Sequence, residues 1–394
     1  MRRIAILFNG DIDDRKGFVN AVLERAKGLY VRNGYSVDVF CLCQYDYWLV
    51  RQLRHSQKTE MPKTKLVDGL PINLVWYPFS LIDYLLSVKF HTGKIIEPFI
   101  IRRMVARFSH YDMICAHSMV PGVLAREIGR RYNVPYCITW HGSDIHTEPF
   151  VNKNVFKKVS KLMDGASCNI FVSRALQQTA KLINPNVESA VLYNAASDRF
   201  FRYDDDCRKA TKAKYKSTAF NKVVAFAGGL VSVKNADILP DIFCSIQGKI
   251  DEQLEFWIIG DGKLRGIIEN KLAATPNLRC KLWGNQPVEK MPELLNCIDV
   301  LVLPSKNEGL PLIVVEALKS GANVVASDVG GIKEILGEEN VIILGDNFID
   351  RFSSKVVELL TTNSPIPKIS QQFDWHITSD AEDGIYTRIL KEQQ

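Results

Sequence analysis

The sequence predicts an α/β protein made of two doubly wound, parallel-sheet domains, and three observations carry that prediction. Short, continuous apolar runs alternate with helix-period stretches along almost the whole chain. Strands of that kind are covered on both faces, as in parallel sheets with crossover helices. The runs fall into two series, separated by Arg202–Lys222, a polar stretch with three consecutive aspartates and many lysines. Finally, 394 residues with 46% hydrophobic and 24% charged side chains suit two compact domains rather than a disordered chain.

In the first series the strands read as Ile4–Phe8, Ser36–Cys41, Ile72–Trp76, Met113–Ala116, Tyr136–Trp140, Asn169–Val172 and Ala190–Leu192. Helices such as Phe18–Arg32 and Val120–Tyr132 lie between them. In the second series they read as Val223–Ala227, Leu254–Ile259, Leu278–Leu282, Val300–Leu303, Asn323–Ala326 and Val341–Leu344. The polar stretch is the junction, with little core of its own. Residues 363–379, with Pro365 and Pro367, close the second series before a last helical stretch. The expected organisation is a first domain over 1–200, a second over 201–375, and a helix over 376–394 packing back towards the first. Ligands are expected at the carboxyl ends of the strands, in a cleft between the domains.

The net charge of +6 is too mild for a nucleic-acid binder. It is uneven: residues 1–200 carry +10 and residues 201–394 carry −4, which suggests different partners for the two halves. No apolar run approaches the roughly 18–20 residues that cross a bilayer. The start, Met-Arg-Arg-Ile-Ala-Ile-Leu-Phe-Asn-Gly, reads as a first strand and turn rather than a signal segment. Nine scattered cysteines without a Cys-x-x-Cys pair suit a reduced, cytoplasmic protein without a structural metal.

The chemistry is concentrated in Asp299–Ile335. An apolar strand ends at Pro304-Ser305, a loop carries Glu308-Gly309-Leu310, and Pro311 suits a first helical position. The helix is expected to run to about Ser320, with Gly321 as its stop. The Gly309 and Leu310 amides would offer a phosphate or sugar hydroxyls a helix terminus. Glu308 and Glu316 can reach different parts of one extended ligand, to which sugar hydroxyls are natural donors. The plainer alternative is a loop carboxylate and a solvated helix residue. Against that, Glu316 stands among Val314, Val315, Ala317 and Leu318, and a carboxylate buried there needs a partner.

This stretch resembles the Glu-x7-Glu signature of family four of the retaining, nucleotide-sugar-dependent glycosyltransferases, which have the GT-B fold. Other segments match in order. Phe226-Ala-Gly-Gly-Leu-Val-Ser-Val-Lys234-Asn is similar to the family's Gly-Arg-Leu-x-x-x-Lys-Gly loop. Ile258-Ile-Gly-Asp-Gly262 is similar to its Gly-x-Gly turn, and Leu282-Trp-Gly-Asn-Gln286 to the loop beside the nucleotide base. Trp140-His-Gly-Ser-Asp144, Phe171-Val-Ser-Arg174 and Leu192-Tyr-Asn-Ala195 match first-domain landmarks.

The resemblance implies that Glu316 binds ribose hydroxyls, Glu308 with the Gly309 and Leu310 amides holds the transferred sugar, and Lys234 binds the diphosphate. Gly228, Gly229, Gly260, Gly262, Lys263 and Asn285 complete the implied donor site. An ammonium beside a departing diphosphate stabilises charge that grows in the transition state. Gly229 stands where the family usually has arginine, which leaves Lys263 or Arg265 as candidates for a second cation. His141 would contact the donor sugar through its ring or its carbonyl. Asp144 would orient the acceptor or cap the next segment, and Gly17 would lie near the phosphates, although Asp11-Ile-Asp-Asp-Arg-Lys16 makes that loop atypical. No metal is expected, since Lys234 and helix-terminus amides can meet the diphosphate charge.

The implied activity is transfer of a hexose or N-acetylhexosamine from a UDP- or GDP-sugar to a glycan or lipid-linked glycan. Residues 81–108, where apolar side chains mix with Lys89, Lys94, Arg102, Arg103 and Arg107, point to an anionic membrane surface as a further partner. They read equally as ordinary surface helices. The rival functions are a hydrolysing nucleotide-sugar epimerase, disfavoured by the Glu-x7-Glu stretch, and a degenerate binding member kept open by Gly229.

Overall fold

A computed structural model of the chain describes residues 2–13, 17–31, 35–57, 60–86, 96–215, 222–362 and 366–393. The chain forms two compact units. Unit 1 comprises Met1–Val172, Leu176–Leu192 and Trp375–Gln394, and unit 2 comprises Ser173–Ala175 and Tyr193–Asp374.

Unit 1 is built on an eight-stranded sheet. Its strands are β1 (Arg2–Phe8), β2 (Tyr35–Asp46), β3 (Thr64–Val67), β4 (Leu70–Phe79), β5 (Met113–His117), β6 (Tyr136–Trp140), β7 (Cys168–Phe171) and β8 (Ser189–Val191). They lie in the order β3-β4-β2-β1-β5-β6-β7-β8. Every residue of β5, β6 and β7 is buried, as expected of parallel strands covered on both faces. One strand corrects the all-parallel expectation. Edge strand β3 pairs antiparallel with β4 through a two-residue turn, Asp68-Gly69, whose φ values of 49° and 80° suit a tight hairpin.

The last helix, Trp375–Glu392, is part of unit 1, and Tyr386, Ile389 and Leu390 join its apolar core. It is held against the helix Gly17–Tyr30 by a fully enclosed polar cluster. Arg25 donates to Glu382 at 3.3 Å and to the carbonyl of Leu192 at 2.7 Å, and the Tyr386 hydroxyl donates to Glu382 at 2.7 Å. Arg25, Glu382 and Tyr386 are each 0% exposed.

Unit 2 carries a six-stranded, all-parallel sheet of β9 (Val223–Ala227), β10 (Glu255–Ile259), β11 (Cys280–Gly284), β12 (Val300–Leu303), β13 (Asn323–Ser327) and β14 (Val341–Ile342). The order is β11-β10-β9-β12-β13-β14, the doubly wound pattern that reverses between β9 and β12. The junction expected to lack a core is in fact packed: Asp205–Lys214 is a helix, and its buried Lys212 donates to both oxygens of Asp299 at 2.8 and 3.0 Å. Asp204, at the head of the aspartate run, caps that helix by accepting the Cys207 amide at 2.8 Å. Residues 216–221 of the junction, Pro365, and Lys89 and Lys94 of the basic segment lie outside the described residues.

Candidate active site

The loops leaving β9 and β12, where the strand order of unit 2 reverses, carry Gly228, Gly229, Lys234, Glu308, Gly309 and Leu310. The β9 loop is laced to the loop after β10 by backbone bonds. The Gly228 amide donates to Ile259 at 2.9 Å, Leu230 to Asp261 at 3.0 Å, and Leu264 back to Leu230 at 3.0 Å. Gly260 and Gly262 are steric necessities. Gly260 has φ +130°, and a Cβ there would collide with the carbonyl of Gly228; a Cβ on Gly262 would collide with that of Leu230. Gly228 therefore shapes the loop with its amide already taken. Asn285, exposed, follows β11.

Lys234 ends a short 3-10 turn, and its side chain meets the β12 loop. Its ammonium donates to Glu308 Oε1 at 2.6 Å, and the Ser305 hydroxyl donates to the same oxygen at 2.7 Å. The Glu308 side chain is 9% exposed and that of Lys234 24%, so the pair is screened from bulk water while the lysine keeps an open side. The Lys306 amide donates to Val233 at 2.8 Å and ties the two loops together. Beyond Glu308, the buried Gly309 and Leu310 amides have no acceptor among the described residues. Buried donors of this kind call for a ligand oxygen. Gly330 and Gly331 press on this loop from β13: a Cβ on Gly330, at φ +56°, would collide with the Glu308 carbonyl, and the Gly331 amide donates to Gly309 at 3.0 Å.

Two expectations shift here. Pro311 is the residue before the helix, Leu312–Lys319, rather than its first residue. Glu316 is half-buried rather than enclosed, because it shares the helix's more open face with Ile313 and Lys319. Gly321, at φ +83°, follows the helix as expected. Of the two candidates for a second cation, Arg265 is held by Asp261 and Glu269, both at 2.8 Å, whereas Lys263 is exposed with no ion-pair partner among the described residues.

In unit 1 the strand order reverses between β1 and β5. His117 closes β5 and His141 directly follows the neighbouring β6, which brings His117 Nδ1 within 3.1 Å of His141 Nε2. One ring must donate and the other accept. Burial, aided by the charge of Arg25, pushes His117 down to about 3. Burial first, then His117 and Arg25, holds His141 well below the usual histidine range. His141 is therefore a neutral imidazole, and the ring of Phe18 meets it edge-on at 4.8 Å. Asp144 is buried, takes the Gly142 amide on Oδ1 at 3.1 Å, and is pushed up to about 7 chiefly by its burial. Gly17 is the exposed first residue of its helix, and Asp14, Arg15 and Lys16 before it lie outside the described residues.

The sequence reading missed His117, Ser305 and the Asn9–Ser118 contact, in which the serine hydroxyl donates to the amide oxygen at 2.9 Å. Ser118 sits at φ +78°, a strained position for a side-chain-bearing residue and one that clusters at functional sites. The signal for His117 was present: it ends a fully apolar strand, as His141 follows one. Among the described residues no group of three or more His, Cys, Asp or Glu comes together as a metal holder.

Comparison with known proteins agrees with this arrangement. The family described as Glycosyl transferases group 1 matches residues 221–362, and the Glycosyl transferase 4-like family matches residues 80–179. The putative teichuronic acid biosynthesis glycosyltransferase TuaC of Bacillus subtilis (strain 168) is 25% identical over 314 residues, 79% of this chain and 77% of its own. Sucrose-phosphate synthase from Thermosynechococcus elongatus matches with a TM-score of 0.76 at 15% identity, covering 100% of both chains. Anabaena HepE in complex with UDP and glucose matches with a TM-score of 0.67 at 17% identity, covering 99% of this chain and 97% of that one. At such identities the structures speak for the fold, and the two family matches speak for the activity. The chain belongs to the group 1, family-four type of glycosyltransferases and has their GT-B fold.

Proposed function

We propose that this glycosyltransferase is retaining and metal-independent, and that it moves a hexose or N-acetylhexosamine from a nucleotide diphosphate sugar to a hydroxyl of a glycan or lipid-linked glycan in cell-surface polysaccharide assembly. The observation that carries the reading is the meeting of Lys234, Glu308 and the open Gly309 and Leu310 amides at the strand reversal of unit 2. A cation and amides suit a diphosphate, and a screened carboxylate suits sugar hydroxyls. Glu316 takes the ribose, Lys263 assists at the diphosphate, and His141 gives its neutral ring or its carbonyl to the transferred sugar. In the transfer, the bond from the anomeric carbon to the phosphate oxygen breaks, the acceptor oxygen bonds the same face, and its proton passes to the leaving phosphate. HepE with UDP and glucose supports a uridine nucleotide, and the name of TuaC supports a polysaccharide product.

A thermal-shift panel of UDP, GDP and their sugars checks the donor. Ligand at 100 times its dissociation constant stabilises by about 2.7 kcal/mol. One base is expected to shift the transition, and Glu316→Ala and Lys234→Ala are expected to abolish that shift. A panel with no shift at all would count against a nucleotide-sugar donor.

The acceptor side of the reading includes the inner, anionic face of a membrane. No helix among the described residues is long and apolar enough to cross one. Trp48–Arg54, Leu81–Tyr84 and Ile96–Arg103 instead form successive, contacting short helices. They expose Trp48, Leu53, Ile82 and Phe99 beside Arg54, Arg102 and Arg103. The acids of these segments are withdrawn: Asp83 and Glu97 are buried, and Asp46 is bound by Arg54 and Ser56. Aromatic and basic side chains without exposed acids suit an anionic interface. The wild type is expected to float with anionic vesicles at low salt and not with neutral ones, and Trp48→Ser with Arg103→Glu to abolish flotation. Equal flotation with both vesicle types would sink the idea.

A further inference from the structure

We infer that Asp144 works as a neutral carboxyl that positions the His141–Gly142 turn, its uncharged form holding the turn at the end of β6 and its ionisation loosening it. The inference rests on the reading that His141 serves the transfer, and it adds what sets that residue's place.

Asp144 is 7% exposed, and its two oxygens are treated differently. Oδ1 takes the Gly142 amide at 3.1 Å; Oδ2 is fully enclosed and has no hydrogen-bond partner. No cation pairs with it among the described residues. The helix packed against its own short helix, Glu148–Val151, brings a second acid, Glu148, whose charge opposes ionisation of Asp144. On its own loop the neighbouring ring is the neutral His141, backed by the neutral His117. An ionised carboxylate here would leave one oxygen buried without donor or cation. A proton on Oδ2 replaces the stranded charge by a neutral hydroxyl, a smaller cost, and Oδ1 still accepts the Gly142 amide. Backbone amides at Gly142, Asp144 and His141 favour the ionised form, but burial outweighs them and Glu148 adds to it.

The sign follows. A carboxyl whose proton is held more tightly in the folded state weakens stability as pH rises from about 4 to about 7, and the weakening is complete above that window. Asp144→Asn keeps the acceptor for Gly142 without the charge, so its unfolding temperature should lose this part of the fall and exceed that of the wild type at pH 8.

The decisive experiment combines isotope-edited infrared spectroscopy with NMR of ¹⁵N-histidine-labelled protein. In the wild type a protonated-carboxyl band is expected at pH 6, absent from Asp144→Asn. The His141 ring resonances, assigned with His141→Gln, are expected to move with a midpoint near pH 7 although the ring itself stays neutral; in Asp144→Asn they stay fixed at the acidic wild-type position. In Asp144→Ala, which removes the Gly142 contact, they are displaced at every pH. If Asp144→Ala does not fold, the asparagine variant and the wild-type band decide alone. A missing band at pH 6, or His141 resonances that still move with the same midpoint in Asp144→Asn, would overturn the inference. Separately, full turnover by His141→Ala would remove the role of His141 in transfer without touching the titration of Asp144.

Discussion

Arg25→Met is expected to cost unit 1 about 3–5 kcal/mol, the range for a buried charge pair broken on one side. The guanidinium has no access to water, and its partner Glu382 is equally enclosed. Losing the arginine strands a carboxylate in the core and also leaves the Leu192 carbonyl without its 2.7 Å donor. Both penalties are desolvation costs that nothing nearby replaces, since the Tyr386 hydroxyl already donates to Glu382. The contacts also say what comes loose first. Leu192 is where the chain leaves unit 1, and Trp375, whose ring lies 5.9 Å from the guanidinium, is where it returns. The last helix should detach before the rest of the sheet melts, which hydrogen exchange across 375–393 in Arg25→Met will register as early loss of protection. The double variant Arg25→Met/Glu382→Leu should regain most of the stability, because an apolar pair of similar size avoids the stranded charge. Chemical denaturation of the three proteins checks this. A single variant as stable as the double would show that Glu382 is rehydrated and that the helix is not held as the geometry says.

That cluster also marks the limit of what the sequence could reveal. Arg25 sits inside an amphipathic helical pattern, where one basic residue reads as surface, and its partner lies 357 positions away. Lys234 and Glu308, 74 positions apart, were each named from their own motifs, but that they bind each other could not be read from either. The strands were legible because they are continuous apolar runs, and the site loops were legible because close backbone approach demands glycine at Gly260 and Gly262. Edge strand β3 was missed for the complementary reason: Thr64-Lys65-Leu66-Val67 is mostly solvent-facing and carries no apolar run. Its Asp68-Gly69 turn was nevertheless a usable hairpin signal. The junction misled because its lysines and aspartates read as solvated, whereas Lys212 and Asp299 satisfy each other across unit 2.

Lys234→Ala and Glu308→Gln should each lower kcat/KM by about 10²–10³, the usual effect of removing one charge-stabilising contact from a transfer site. The two losses should not add. In the resting structure the lysine's charge is directed at Glu308, which it shares with the Ser305 hydroxyl. An arriving diphosphate must draw that ammonium partly away, and Glu308, released from it, can then accept sugar hydroxyls. Each residue thus prepares the other's contact with the donor. Lys234→Ala leaves Glu308 screened from water with Ser305 but without its cation, a costly state that distorts the loop bearing the Gly309 amide. Glu308→Gln leaves the ammonium unpaired, free to hold the diphosphate more tightly in the ground state. Nucleotide diphosphate binding should therefore weaken in the lysine variant and hold or strengthen in the glutamine variant, although both lose turnover. The double variant should lose little more turnover than the worse single one, so the coupling should approach the smaller single effect, about 3 kcal/mol. Calorimetric titration with UDP and GDP, beside transfer rates for the four proteins of the cycle, reads both quantities. Strict additivity, with nucleotide affinity falling equally in both single variants, would mean that the 2.6 Å pair is a structural bridge and that the diphosphate is met by Lys263 and the loop amides instead.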